Sequence, residues 1–386
     1  MPLDRLRALL IEDGEAAARL ARIGRPADFA DAAAALLDDG ASTAVRAALT
    51  DQLGGGRPAS LPIIETEAPA PGWLPWRLDA EGLDWLFIGR RLTQPFYESD
   101  LSLARCLPIN RLMRVRTPRG RLAVLAGRAP DGLIFHMSRC GSTLTARMLA
   151  GSQASRAVAE AKVVDQAVRA PGLDDAARVE LLRAVVGALA RGGPERLFLK
   201  LDCWHARDLP LFRRAFPDAP WVFLHRDPVE VMVSQRRACG IQMIPSLVPE
   251  SYYGLSLPSG VPDEDYFARV LAAIMEAALD GLELGGGLCV DYRELPEAVE
   301  TLILPHFGVA PSPAEREAMA RVALRDAKGA PQAPFTPDSA SKQATADRAL
   351  RNLCEERLGR LQRRLRAQAA ARTSAPATAA SKTAWP

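Results

Sequence analysis

The clearest pattern of hydrophobic and polar positions lies in the second two-thirds of the chain. It contains four short apolar runs bounded by turn residues, which is typical of buried strands. The four runs are 133–135, 197–201, 221–224 and 288–290. Between them, apolar residues recur at helical spacing over 161–191, 206–216, 228–238 and 264–284. Alternating strands and helices predict a parallel sheet with helices on both faces, and therefore an α/β, three-layer domain over residues 129–370.

Outside this domain the pattern is weaker. Residues 1–57 place apolar residues at helical spacing, which predicts a small helical N-terminal module, either a bundle or a docking element for a partner. Residues 58–128 are rich in Pro and Trp and match no element, so we expect a connecting or capping region that could border an acceptor pocket. Residues 347–370 predict a final amphipathic helix, and residues 371–386 predict a disordered tail.

Composition narrows the class of protein. The 386 residues include 49 Lys and Arg against 46 Asp and Glu, and a net charge of only +3 argues against a dedicated nucleic-acid binder. Hydrophobic residues make up 48% and charged residues 25%, which is typical of globular proteins and excludes a membrane bundle. The six cysteines form no CxxC pair, so no zinc site is expected and a reducing compartment fits. No apolar segment has the length of a signal or a membrane span, so we expect a cytoplasmic protein.

The strongest motif follows the first predicted strand and reads His-Met-Ser-Arg-Cys-Gly-Ser-Thr over residues 136–143. A strand that turns tightly into a helix presents unpaired N–H groups and the positive end of the helix dipole, which bind phosphate. Gly141 permits close approach of the backbone. Ser142 and Thr143 add hydroxyl groups, and Arg139 adds a positive charge. No lysine follows Gly141, as a Walker A loop requires, so an ATPase or GTPase is disfavoured. An ordinary strand–helix turn is the alternative interpretation.

A second anion-binding motif follows the third predicted strand. Arg226 stands at the carboxyl end of that strand, where ligands bind in open α/β sheets. Asp227 and Pro228 are favourable first residues for the helix that follows. Ser234 lies two turns later, so its hydroxyl can return to the same edge and join Arg226 around a second phosphate. A structural ion pair is the alternative for Arg226. A kinase catalytic loop is excluded, because Met232 stands where that loop has Asn.

Together these two motifs resemble the P-loop sulfotransferase superfamily, over about residues 130–370. The loop from Ser138 to Thr143 resembles the family's 5'-phosphosulfate loop, and Arg226 with Ser234 resembles its 3'-phosphate motif. Members of that family transfer a sulfuryl group from 3'-phosphoadenosine 5'-phosphosulfate (PAPS). The resemblance therefore implies a P-loop sulfotransferase-like fold and a PAPS-dependent enzyme.

The loop departs from the family pattern, which typically reads Pro-Lys/Arg-Ser-Gly-Thr-Thr. The departures are Ser138, Cys140 and Ser142. Arg139, where many members have Lys, is similar to the tyrosylprotein sulfotransferases and many bacterial relatives. The resemblance to that group implies Glu160 as the general base. It also implies that Arg139 and Lys200 stabilise the charge of the leaving phosphate.

The same resemblance implies the ligands. PAPS is the co-substrate and adenosine 3',5'-bisphosphate (PAP) is the product, no metal is required, and the acceptor is a hydroxyl or amine on a small molecule, peptide or glycan. The residues implied to bind the nucleotide are Ser138, Arg139, Cys140, Gly141, Ser142, Thr143, Arg226 and Ser234. Lys342, in the basic C-terminal segment, is a further candidate for contact with the 3'-phosphate, with a solvated lysine as the alternative. His136 and His205 are alternative bases, and the 238–262 loop is a candidate lid. A P-loop kinase-like phosphotransferase and a non-catalytic nucleotide-binding scaffold stay open as alternatives.

Overall fold

The structure, a computed structural model, describes residues 2–37, 42–54, 60–245, 247–258, 260–325 and 338–371. Of the predicted tail 371–386, all but its first residue lies outside this described part. The described start of the chain is helical, as its sequence predicts. The helices there are α1 (Pro2–Glu12), α2 (Gly14–Ala21), α3 (Pro26–Ala35) and α4 (Ser42–Gly54).

Apolar faces and a cap explain these helices. Leu6, Leu10 and Leu20 repeat at helical spacing and are buried. The carboxylate of Asp13 accepts two N–H groups from the first turn of α2, at 2.9 and 3.0 Å, and so begins that helix. The indole N–H of Trp73 donates to the carbonyl of Leu10 at 3.1 Å, which links α1 to the segment that follows.

Residues 60–128, for which the sequence predicts no element, contain a small sheet. Its strands are β1 (Ile63–Glu65), β2 (Trp73–Leu78), β3 (Gly82–Phe87) and β4 (Arg114–Pro118), with α5 (Tyr97–Ala104) between β3 and β4. The order is β1-β4-β3-β2, with β1 and β4 parallel and the other pairs antiparallel. Asp84 is buried and pairs with Arg116 at 2.6 Å and with Arg114 at 2.8 Å. Ion pairs between β3 and β4 therefore stabilise this sheet alongside its buried tryptophans.

The predicted α/β class with a parallel sheet is confirmed. The strands of this sheet are β5 (Gly132–His136), β6 (Ser155–Ala159), β7 (Arg196–Lys200), β8 (Trp221–His225) and β9 (Gly287–Asp291). They pair in parallel in the order β6-β7-β5-β8-β9. Four of them coincide with the four apolar runs. The sequence missed β6, because this edge strand begins with Ser155 and Arg156 and has only a short apolar end.

Helices connect these strands and complete the described chain. The α-helices are α6 (Ser142–Gly151), α7 (Lys162–Val168), α8 (Asp175–Ala190), α9 (Leu209–Ala215), α10 (Pro228–Arg237), α11 (Asp263–Leu282), α12 (Leu304–His306), α13 (Pro313–Ala323), α14 (Ser339–Thr345), α15 (Arg348–Cys354) and α16 (Arg360–Ala371). The 3₁₀ turns are Pro108–Arg111, Arg119–Leu125, Cys203–Asp208, Ile241–Met243, Glu250–Tyr253 and Tyr292–Glu294, and the π-helical turns are Val299–Ile303 and Glu355–Gly359.

The prediction of one helix over 161–191 is wrong, because Pro171 and Gly172 (φ 71°) separate α7 from α8. None of the described helices is both long and apolar enough to span a bilayer.

The strand order creates a crevice at the middle of the sheet. From β5 the chain runs to β6 and β7 on one side, and then to β8 and β9 on the other. Ligands bind at the carboxyl ends of the strands where the order reverses in this way. That point lies between β5 and β8, where His136 stands opposite Leu224. Both predicted phosphate motifs directly follow these two strands.

Candidate active site

The loop between β5 and α6 has an uncommon backbone conformation. Ser138 (φ 75°), Arg139 (φ 53°) and Gly141 (φ 86°) all lie in the left-handed region. Non-glycine residues there cost about 1–3 kcal/mol each, and they persist where the surroundings hold them, often at functional sites. Gly141 is also needed for space, since a Cβ atom would stand 2.6 Å from Cδ1 of Leu295. A turn of this kind before a helix N-terminus forms an anion-binding concavity.

Two loop side chains hold the loop in place. The Ser138 hydroxyl accepts hydrogen bonds from Gln235 at 3.2 Å and from Gln242 at 2.9 Å. The Cys140 thiol donates to the carbonyl of Leu224 at 3.1 Å, and burial raises its pKa to about 11, so it stays protonated at neutral pH. Ser138 and Cys140 therefore connect the loop to α10, to the 238–262 segment and to β8.

A pocket of about 340 Å³ opens in front of this loop. Of the nine residues predicted to bind the nucleotide, the structure brings eight to its walls and places the ninth, Ser138, outside. The eight are Arg139, Cys140, Gly141, Ser142, Thr143, Arg226, Ser234 and Lys342. The loop and α6 thus form one wall, and residues that follow β8 or precede the final helices form the other.

Arg226 is the central cation of that second wall. Its side chain is 4% exposed, with Nε 2.6 Å from a carboxylate oxygen of Glu230 and Nη2 2.6 Å from Oδ1 of Asp338. The guanidinium lies 3.9 Å from the centre of the Tyr292 ring. Arg226 therefore does form ion pairs, as the structural alternative requires, and it also faces the pocket. The two interpretations are compatible.

Lys342 and Ser234 complete this wall. The Lys342 side chain is 8% exposed, and its Nζ lies 2.6 Å from Oδ2 of Asp338. Burial lowers the pKa of Lys342, and the nearby carboxylate of Asp338 acts against that shift. The Ser234 hydroxyl lines the pocket and donates to the carbonyl of Glu230 at 3.1 Å. The arrangement presents two nearly buried cations to the pocket.

The predicted catalytic residues Glu160 and Lys200 meet beside the loop, at the carboxyl ends of neighbouring strands. Glu160 follows β6 with a left-handed φ of 52°, and its N–H donates to the carbonyl of Lys200 at 2.7 Å. The ammonium group of Lys200, which ends β7 and is 1% exposed, donates to the Glu160 carboxylate. The third member is His136 at the end of β5, whose Nε2 lies 3.6 Å from the same carboxylate. We call Glu160, Lys200 and His136 the strand-end cluster.

Hydrogen bonds define the tautomer of His136. Its Nδ1 accepts the N–H of Ser138 at 3.1 Å, so the ring proton lies on Nε2, which donates to the carbonyl of Leu201 at 2.9 Å. Burial and the charge of Lys200 lower the pKa of His136 to about 4, so the ring is neutral at pH 7. The strand-end cluster is thus connected to the phosphate loop through a single hydrogen bond.

The carboxylate of Glu160 is ionised in this cluster. Burial by itself would raise its pKa, but the charge of Lys200 holds the pKa well below its usual range. Nζ of Lys200 also lies 5.6 Å from the ring centre of Phe96, which directly precedes α5. The segment that carries the small sheet, where a capping region was expected, therefore borders the cluster.

His205, the other alternative base, belongs to a separate group. It is fully buried, and its Nε2 lies 3.0 Å from a carboxylate oxygen of Asp165. Burial alone would lower its pKa, but the carboxylate of Asp165 and the charge of Asp202 raise it. Burial raises the pKa of Asp202 to about 7. Among the described residues, Asp165, Asp202 and His205 are the group whose ligand atoms, within 4.8 Å of one another, could hold a metal ion.

Sequence reasoning missed several residues of this region. Tyr292, Arg237 and Asp338 line the phosphate pocket, and Asp202 stands two residues after Lys200. An aromatic residue directly after β9 was a usable signal for Tyr292, because it reaches the same edge of the sheet as Arg226. Asp338 had no such signal, since it lies 112 positions from Arg226.

Comparisons with known proteins give a sparse result. No family model matches the chain, and no curated protein matches it. Solved structures do match, and bacterial sulfotransferases are among them.

One is a sulfotransferase from Mycobacterium avium, at 14% identity and a TM-score of 0.42 over 62% of this chain and 79% of that one. Another is the sulfotransferase domain of the olefin synthase of Synechococcus PCC 7002, at 19% identity and a TM-score of 0.40 over 60% of this chain and 95% of that one. A third is a sulfotransferase from Alicyclobacillus acidocaldarius, at 15% identity and a TM-score of 0.38 over 63% and 97%. These likenesses are distant, so a functional conclusion has to rest on the residues of this chain.

Proposed function

We propose that this chain is a sulfotransferase that moves a sulfuryl group from PAPS to a hydroxyl or amine acceptor. The observation that carries the proposal is one pocket in which a phosphate loop and a pair of nearly buried cations, Arg226 and Lys342, face each other. The strand-end cluster lies directly beside that loop. Transfer from a nucleotide with two separate phosphates requires two anion sites and an acid–base group beside them.

The two walls of the pocket suit the two ends of the nucleotide. The loop, the N-terminus of α6 and Arg139 would take the 5'-phosphosulfate, because helix N-termini and backbone concavities favour anions. Arg226 and Lys342 would take the 3'-phosphate, which a guanidinium binds with paired hydrogen bonds. The Tyr292 ring beside Arg226 offers an apolar surface to the nucleoside.

The step itself is an in-line displacement at sulfur. The acceptor oxygen forms a bond to sulfur while the bond from sulfur to the 5'-phosphate oxygen breaks. The acceptor proton passes to the carboxylate of Glu160, and the negative charge collects on the departing phosphate of PAP. Loop N–H groups, Arg139 and Lys200 would stabilise that charge, at a few kcal/mol for each well-placed donor, roughly.

The contact between Lys200 and Glu160 supports a coupled role for the two. While Lys200 holds Glu160, the carboxylate is ionised but weakly basic. Charge that develops on the leaving oxygen would attract the ammonium group, and the pKa of Glu160 would then rise towards its usual range. Glu160 would therefore become a stronger base as the S–O bond breaks, when the acceptor proton must leave.

The acceptor itself is proposed to enter from the side of the small sheet. A second pocket of about 580 Å³ lies between the end of β2 at Leu78 and α7 at Asp165, with Arg169 directly after that helix. Arg169 lies 5.4 Å from the ring centre of Tyr252, in the 238–262 loop that is proposed as a lid. Both the capping region and that loop could therefore contact the acceptor.

The test is conversion of PAPS to PAP in the presence of a panel of alcohols, phenols and amines, followed by chromatography. We expect PAP and a sulfated product to form in equal amounts, with a large loss of rate in Glu160→Gln. Glu276→Gln, at an exposed position of α11, removes the same charge away from the site and should keep full activity. Phosphorylated product from Mg-ATP, with none from PAPS, would instead identify a kinase-like phosphotransferase.

A further inference from the structure

A carboxylate of the chain itself occupies the space between the two phosphate-facing cations. One oxygen of Asp338 lies 2.6 Å from Nη2 of Arg226, and the other lies 2.6 Å from Nζ of Lys342. The Ser339 hydroxyl, one residue later, is 3.1 Å from Nη2 of Arg226 and donates to Glu230 at 2.9 Å. A bound phosphate would make the same kind of contact with the same two cations.

The charge of Asp338 makes this contact strong. Burial alone would raise its pKa, but hydrogen bonds from Arg226 and Lys342 hold the pKa below its usual value, so the group is ionised at neutral pH. Two cations, Arg226 and Lys342, therefore face two carboxylates, those of Glu230 and Asp338. With Asp338 in place, carboxylates balance the charges of Arg226 and Lys342, while Arg237 also lines the pocket.

The three partners differ in how firmly the fold holds them. The side chains of Arg226 and Lys342 are 4% and 8% exposed, whereas that of Asp338 is 43% exposed. Asp338 immediately precedes the seven-residue helix α14, and its carboxylate makes no capping hydrogen bond to that helix within the described residues. The cations are thus fixed by burial, and the carboxylate is the partner that can leave without loss of a helix cap.

We propose that Asp338 acts as an internal competitor, whose carboxylate occupies the 3'-phosphate subsite until a 3'-phosphorylated nucleotide displaces it. The proposal rests on the proposed function, since it takes the ligand of this subsite to be the 3'-phosphate. A phosphate dianion would form new ion pairs with Arg226 and Lys342 in place of the two that break when Asp338 leaves. A nucleotide with a free 3'-hydroxyl has no charge to exchange and leaves Asp338 bound. The carboxylate therefore weakens the binding of 3'-phosphorylated nucleotides, which must displace it, and does not affect nucleotides that lack the 3'-phosphate.

The test compares the wild-type protein with Asp338→Asn by isothermal titration calorimetry with PAP and with AMP. Asparagine keeps the shape but removes the charge that competes with phosphate. We expect the Kd for PAP to fall at least tenfold and the Kd for AMP to change less than twofold. Asp347→Asn is the matched control, because Asp347 is an exposed acid that pairs with Arg236 outside the pocket, and PAP binding should be unchanged in it. In Asp338→Asn, the added change Lys342→Met should abolish the gain.

The outcomes separate this inference from the function on which it rests. Equal PAP affinity in wild type and Asp338→Asn contradicts the inference alone and leaves the function standing. Weaker binding in Asp338→Asn also contradicts it, since Asp338 would then help to organise the site. A similar gain for AMP would show general electrostatic attraction and would overturn the claim that Asp338 competes with the 3'-phosphate. If neither protein binds PAP, both the function and the inference fail.

Discussion

Gly141→Ala is the change that most directly probes the phosphate loop. Gly141 has φ 86° and stands at the turn into α6. A Cβ atom there would lie 2.6 Å from Cδ1 of Leu295 and 3.0 Å from Cδ2 of Tyr292. The first of these distances is shorter than any real contact of a Cβ atom. The substitution therefore imposes a backbone cost and a steric cost together. The side chain of Leu295 can relieve part of the steric cost, whereas only a movement of the loop relieves the backbone cost.

The magnitude follows from these two terms. A left-handed alanine costs about 1–2 kcal/mol, and an extra methyl group in a packed site costs about 1–3 kcal/mol. The sum is roughly 2–5 kcal/mol of unfolding free energy. At about 2.1 cal/mol/K per residue, a chain of 386 residues has an unfolding entropy of about 0.8 kcal/mol/K, so the expected fall in Tm is about 2–6 °C. We also expect at least a tenfold loss of PAP affinity, because the loop N–H groups move.

Thermal unfolding and calorimetry measure the two effects on the same samples. Gly120→Ala is the matched control, since no heavy atom of the described residues lies within 4 Å of its added Cβ. It should be neutral, or slightly stabilising through the unfolded chain. A Gly141→Ala protein that melts within 1 °C of wild type and binds PAP within twofold would refute this account of the loop.

Three further changes test the charges of the site and the core. Glu160→Gln should lower the rate of sulfuryl transfer about 10²–10⁴-fold with an unchanged Kd for PAP, and a loss below tenfold would remove Glu160 as the base. Lys200→Met should raise the pKa of Glu160, because the charge of Lys200 is what lowers it, and the acid limb of the pH–rate profile should move to higher pH. His225 is fully buried, and burial lowers its pKa to about 4, below the value of about 6.5 in the unfolded chain. The stability that this neutral side chain contributes is therefore present above pH 6.5 and is lost as the pH falls towards 4, roughly. Between pH 7 and pH 5, urea denaturation of His225→Gln should show about 2 kcal/mol less loss of unfolding free energy than wild type. Buried His136, with a pKa also lowered to about 4, contributes a similar loss in both proteins; an equal loss in wild type and variant would contradict the assignment.

The sheet could be predicted where strands are buried. Apolar runs marked β5, β7 and β8, because central parallel strands contact helices along their whole length. An apolar run also marked the edge strand β9, whose Cys289 and Val290 are buried. The same rule failed for β6, which lies at the edge and begins with polar residues. It also failed for residues 60–128, where β2 contains Pro75 and a register shift and β3 carries the buried Asp84. Ion pairs that form only in the folded sheet leave no periodic signal in the sequence.

The site could be predicted where its residues lie close together along the chain. The loop at 138–143 and the turn at Arg226 each join a strand to a helix, so their spacing along the chain reveals their role. The contacts of Asp338 could not be predicted, because no local pattern links residues that are 112 positions apart. The packing of the fold decides that Asp338, and not solvent, faces Arg226. The direction of a hydroxyl group cannot be read from the sequence either. Nothing local shows that the Ser138 hydroxyl faces Gln242 and not the pocket.

The most direct test of the central claim is calorimetric titration of the wild-type protein with PAP and with ADP. The two nucleotides carry the same groups, and only PAP places a phosphate on the 3' position. The account predicts that PAP binds at least tenfold more tightly than ADP, with or without magnesium, because Arg226 and Lys342 read that phosphate. Equal binding of the two, or tighter binding of ADP with magnesium, would contradict a PAPS site in this pocket.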